Sequence, residues 1–127
     1  MTTTYRKIAA AVKALQPLMM VKGFTGRTQL LLMRLWNELE PHNKTLGESE
    51  VAAIRAVGGV IGEKDTITFP DAEAKAEFLA KHEDMLAVET EIKPIQLKPE
   101  PALFAASTPE TWAALDGFII IEGSENA

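Results

Sequence analysis

Three features of the sequence predict an α+β fold in which an antiparallel helix pair is followed by a small β-hairpin or sheet and one or two further helices. Through residue 57 the apolar residues recur at helical spacing. Between residues 58 and 69 the spacing falls to two around a glycine-rich turn. From residue 70 onward, helix-start signals alternate with short β-like runs. A chain of 127 residues has the length of one domain and can bury roughly 65% of its unfolded surface. Residues 1–127 are therefore expected to form one domain, with a helical part over 1–57 and a mixed part over 58–127.

The first helix is read from Tyr5, Ile8, Ala9, Val12 and Leu15, with one of Thr2, Thr3 or Thr4 as its cap and Pro17 interrupting or restarting it. Residues 22–27 form a turn in which Gly23 and Gly26 can take positive φ. A second helix begins near Thr25 and places Leu31, Leu32, Leu35, Trp36 and Leu39 on one broad face, a pattern that Leu46, Val51, Ile54 and Val57 extend. Pro41 predicts either a kink or two helices separated near residues 41–47, with Gly47 as a cap. Leu31, Leu35, Trp36, Leu39, Ile54, Phe78 and Leu86 are expected to share one core.

Val60 and Ile61, a polar turn over residues 62–65, and the run Thr66-Ile67-Thr68-Phe69 predict a β-hairpin. Pro70 and Asp71 start a third helix whose apolar side is Ala74, Phe78, Leu79, His82, Met85 and Leu86. Val88, Thr90 and Ile92 alternate as a strand, which Ile95 and Leu97 continue beyond Pro94 at an edge or bulge. Pro99 and Pro101 predict an extended connector. Ser107-Thr108-Pro109-Glu110 offers a capping hydroxyl, a first-turn proline and a glutamate placed for a capping box, so a last helix runs to Leu115 or Asp116 and Gly117 closes it. Phe118-Ile119-Ile120-Ile121 fits a strand or a continued helix.

Composition narrows the chemistry. With 46% hydrophobic and 24% charged residues, the chain matches an ordinary globular domain, and no apolar run approaches the ~20 residues of a membrane span. The sequence has no cysteine, which removes thiol catalysis and sulfur-built zinc sites, and its two histidines, His42 and His82, are too few for familiar metal or triad constellations. We expect no catalytic residue, no metal site and no cofactor. His82 is read as a packed or boundary residue, and His42, in a Pro-His-Asn turn, as solvated.

Two glycine motifs invite a nucleotide reading and fail it. Lys22-Gly23-Phe24-Thr25-Gly26-Arg27-Thr28 has two residues between its glycines where a Walker A loop needs four. Its Gly-x-x-Gly fits the clamping turn of a KH domain, but no strand is predicted ahead of the helices. Gly58-Gly59-Val60-Ile61-Gly62 lacks the dinucleotide register and precedes a strand rather than a helix.

Charge is distributed unevenly along the chain. The net charge of −5 combines residues 1–37, which hold Arg6, Lys7, Lys13, Lys22, Arg27 and Arg34 and no acid, with residues 38–127, which hold all 18 acids against seven bases. An acid-free, Thr-rich start mimics an organelle transit peptide, but it runs without a small-residue cleavage signal into an apolar helix. The basic segment can pair with acids of the same chain, meet the acidic surface of another copy, or bind anions. Nucleic acid is not expected, because the acidic remainder opposes phosphate neutralisation. Lys13, Lys22, Arg27 and Arg34 lie on or next to the helix pair and are the candidate interface residues.

The order of a Leu-rich helix over residues 30–39, Gly62-Glu63-Lys64-Asp65, a strand to Phe69-Pro70-Asp71, a helix with Phe78 and His82-Glu83-Asp84-Met85-Leu86, then Glu89-Thr90-Glu91-Ile92 and Pro94-Ile95-Gln96-Leu97, resembles a family. That family comprises small, functionally unassigned proteins of tailed bacteriophages and prophages, and the similarity covers roughly residues 10–122. The resemblance implies a phage context among virion and tail genes and carries over no site residue. The expectation is a non-enzymatic protein in the virion or host cytoplasm that acts by protein contact, as a virion component or a head–tail or tail assembly factor. Phage structural proteins and further copies of itself are its expected partners, without a membrane. The alternative is a small counter-defence protein that binds a host protein or sequesters a nucleotide signal.

Overall fold

The computed structural model describes residues 1–105 and 107–123. Their order is β1 (Thr2–Thr4), α1 (Tyr5–Met19), α2 (Gly26–Ala56), β2 (Val60–Ile61), a 3-10 turn (Glu63–Asp65), β3 (Ile67–Thr68), α3 (Ala72–Leu86), β4 (Glu89–Glu91), β5 (Ile95–Leu97), α4 (Pro101–Ala105), α5 (Pro109–Leu115) and β6 (Ile119–Ile121). The fold is α+β and centres on the α1–α2 helix pair, as the periodicity predicts. Three two-stranded sheets surround that pair: β1 with β4 and β2 with β3, both antiparallel, and β5 with β6, parallel.

Thr4 caps α1 by accepting the Lys7 amide, and the helix runs past Pro17 to Met19 rather than breaking there. Pro17 is exposed and falls in the last turns, where the lost amide removes only one rung. α2 is one helix of 31 residues, about 46 Å at 1.5 Å per residue, so the predicted separation near residues 41–47 does not occur. Gly47 is an interior residue and caps nothing. Pro41 withholds one amide from the ladder, but packing anchors the helix on both sides of it: Leu32, Leu35 and Leu39 before, Leu46, Ala53 and Ile54 after. The Thr45 hydroxyl donates to the Pro41 carbonyl at 3.0 Å.

The end of α2 explains the glycine pair. The Gly59 amide donates to the Ile54 carbonyl (2.8 Å) and the Gly58 amide to the Arg55 carbonyl (3.0 Å), the two bonds of a Schellman motif with Gly58 at φ +81. A β-carbon on Gly59 would lie 2.9 Å from the Ile54 carbonyl oxygen, so no larger residue fits. The hairpin that follows pairs Val60 with Thr68 and Ile61 with Ile67 and turns through Lys64 and Asp65, both at positive φ. Asp71 caps α3 by accepting the Ala74 amide at 2.7 Å.

Several local expectations are corrected. Leu79 is half-exposed, because the side of α3 that packs on α2 is defined by Ala74 and Phe78. The alternation over residues 88–97 is not one strand: β4 joins β1 and β5 joins β6, with Pro94 between the two sheets. A strand, β1, does precede α1, formed by the threonines read only as caps. Pro101 opens the short helix α4 inside the predicted extended connector and sends Leu103 into the core. Thr108 supplies the capping hydroxyl of α5, and the capping box is closed by Thr111 rather than by Glu110. Residues 119–121 are a strand.

The core is also divided. The main cluster gathers Ile8, Leu15, Leu32, Leu35, Leu39, Ile95, Leu97, Leu103, Leu115 and Phe118, with Leu31 and Trp36 at its margin. A second cluster holds Ala53, Ile54 and Phe78, bordered by Val57, Phe69 and Met85. The seven residues expected to share one core are thus split, and half-buried Leu86 belongs to neither cluster. Only one end of a helix as long as α2 can reach a given cluster.

One buried group is left without a partner. Thr3 is 3% exposed and its hydroxyl makes no hydrogen bond among the described residues. Thr3→Val keeps the β-branched shape and removes that unsatisfied hydroxyl, so we expect stabilisation by about 1 kcal/mol. Urea unfolding checks this: the midpoint should rise with an unchanged slope.

Candidate interaction surface

The surface of interest is the closed end of the α1–α2 pair, where the chain turns through residues 20–25. Gly23 takes φ +99, and Thr25 caps α2 by accepting the Thr28 amide. The Glu100 carboxylate reaches over this helix start from the connector. One oxygen accepts from the Thr25 amide (3.1 Å), and the other from the hydroxyls of Thr25 (3.1 Å) and Thr28 (2.9 Å). The anion position offered by the helix N-terminus is therefore filled by the protein's own acid, which accounts for the Lys22 to Thr28 motif without a phosphate.

All four candidate interface cations are exposed. Arg27 and Arg34 line one groove with Leu31, Pro94, Gln96 and Ile120, whereas Lys13 on α1 and Lys22 in the loop stand apart from it. Among the described residues, two of the six N-terminal bases form ion pairs within the chain, Arg6 with Glu83 and Arg27 with Glu122, the latter at 3.4 Å. Both pairs are well exposed and contribute little to stability. Among the described residues no carboxylate lies within 4.0 Å of Lys7, Lys13, Lys22 or Arg34.

Apolar residues that the helical pattern does not single out stand among these cations. Met20 is 80% exposed, Leu30 70% and Met33 45%. Leu30 lies three residues after Arg27, three before Met33 and four before Arg34, so these side chains are neighbours on the outer side of α2. A signal was present in the sequence: Leu30-Leu31-Leu32-Met33 is four apolar residues in succession, wider than any one helix face can bury.

The histidines are structural partners. His82 stacks on Phe78 with centroids 5.4 Å apart and meets Glu50 through Nε2 at 2.6 Å, in keeping with a packed boundary residue. His42 is not solvated: it lies inside α2, half-buried, with Nδ1 at 3.1 Å from the Tyr5 hydroxyl and its ring edge-on to Tyr5. Glu50 and Tyr5 are distant in sequence from the residues they hold, and no local spacing announces them. Among the described residues no three His, Asp or Glu side chains converge, and no helix is long and apolar enough to cross a membrane.

Comparison with protein-family models, with curated proteins and with solved structures finds no match to this chain.

Proposed function

We propose that this chain is a non-enzymatic protein of a tailed phage that works through protein–protein contacts, as a virion component or as an assembly factor for the head–tail or tail. The observation that supports contact as the mode of action is the exposed basic surface of the α1–α2 pair. Lys13, Lys22 and Arg34 face solvent without a carboxylate within 4.0 Å among the described residues, on a segment that has no acid of its own. A solvated helix face usually mixes signs and gains a few tenths of a kcal/mol from each spaced pair, and this one forgoes that gain. Its natural complement is an acidic surface, on another copy or on an assembly partner. The phage setting rests on the sequence resemblance.

Replacing Lys13, Lys22, Arg27 and Arg34 together by Glu is expected to weaken self-association while leaving the monomer folded. Rising salt should weaken wild-type association in the same direction. Light scattering with circular dichroism measures both, and association unchanged at low salt would contradict the reading. Mass spectrometry of purified particles separates a virion component from a protein made only in infected cells.

A further inference from the structure

We propose that the groove holding Arg27 and Arg34 binds the outer side of α3 on a second copy of this chain, a specification that rests on the protein-contact reading above. Arg27, Leu31 and Arg34 follow one another on α2 at spacings of four and three, and they line the groove with Pro94, Gln96 and Ile120. The two arginines are thus two helical turns apart, about 10 Å along the axis. Among the described residues Arg34 has no carboxylate within 4.0 Å, and Arg27 meets Glu122 at 3.4 Å in an exposed pair that contributes little.

Charge and spacing together select the occupant. Cations two turns apart with a leucine between them are matched by carboxylates two turns apart with a small residue between them. Glu77 and Asp84 of α3 are such a pair, both exposed, with exposed Ala80 between them. Within the helices of the described residues, no other two acids stand seven positions apart. This side of α3 is open, because the helix buries only Ala74 and Phe78. An antiparallel approach sets Arg27 opposite Asp84, Leu31 opposite Ala80 and Arg34 opposite Glu77. Packed helices cross at an angle, which confines the contact to about two turns and leaves Glu38 and Glu73 outside it. Glu77 meets Lys81 of its own helix at 3.8 Å, an exposed pair that costs little to give up. Within one copy the two surfaces stay apart, since Phe78 of α3 packs with Ile54, about 30 Å along α2 from Arg34. A contact between two different surfaces is head to tail, so copies add one after another into a ring or a filament.

The test is sedimentation equilibrium of the full chain at low salt. A groove variant, Arg27→Gln with Arg34→Gln, and a face variant, Glu77→Gln with Asp84→Asn, are each expected to weaken self-association roughly tenfold or more, whereas Lys13→Gln with Lys22→Gln leaves it unchanged. All six positions are exposed, so circular dichroism should report an intact fold. Mixing decides the geometry: the groove variant keeps an acidic α3 and the face variant keeps a basic groove, so together they should form one-to-one complexes that grow no further. Glu122→Gln, which frees Arg27, is expected to tighten wild-type association about two- to fivefold, the worth of an exposed ion pair. A wild-type chain that stays monomeric at low salt would overturn the proposal, as would a mixture of the two variants that forms no complex. Association weakened in the groove variant but unchanged in the face variant would remove α3 as the occupant and leave the protein-contact reading standing. Association unchanged even when Lys13, Lys22, Arg27 and Arg34 are all replaced by Glu would overturn both.

Discussion

Leu35→Ala is expected to destabilise the fold by about 2 to 5 kcal/mol. Leu35 is 1% exposed at the centre of the main cluster, where α2 meets α1 and β5. Truncation removes three buried carbons and opens a space that its neighbours cannot close, because they come from different elements, each fixed by its own backbone bonds. The cost of such a site depends on how far the surroundings collapse. Here Ile8 and Leu15 from α1, Leu97 from β5 and Phe118 ahead of β6 are themselves fully buried, which favours the upper half of the range. Urea denaturation should show a lowered midpoint with the slope retained. A change of a few tenths of a kcal/mol would mean that the face of α2 turned to the core is not the one carrying Leu32, Leu35 and Leu39.

That face was legible in the sequence, because a spacing of three and four residues fixes which side chains share a side of a helix. How far along a helix one core extends is a different quantity, and the periodic pattern over residues 31–57 does not contain it. Pro41 reads as a break because the local cost of an interior proline, about 3 kcal/mol, exceeds what local propensity can return. Tertiary contacts on both sides return it, from α1 and β5 before Pro41 and from α3 after it, all far from Pro41 in the sequence. The same limit applies to the sheets. Alternation marks residues 88–97 as β, yet whether Thr90 and Gln96 share a sheet depends on Thr3 and Ile120, which pair with them from opposite ends of the chain. At the candidate surface, the cations and their missing acids were visible from counting alone. The groove was not, since it exists only once Pro94, Gln96 and Ile120 lie beside α2.

The second large effect concerns the far end of α2. Phe78→Ala is expected to cost about 3 kcal/mol, the lower end for a buried phenylalanine, because the cluster it anchors is small and lies near solvent. Phe78 contacts Phe69 on one side (centroids 5.6 Å) and stacks on His82 on the other, and His82 in turn holds Glu50 of α2. Removing the ring therefore loosens both the attachment of the β2–β3 hairpin and the link between α3 and α2. If the two clusters are separate, Phe78 shares no packing partner with Leu35, and the double substitution should cost the sum of the single ones within about 0.5 kcal/mol. Urea titration of the four proteins of this cycle measures that difference. A coupling larger than about 1 kcal/mol would show that α2 carries strain across Pro41 from one cluster to the other, making the helix a mechanical connection rather than a scaffold with two independent ends.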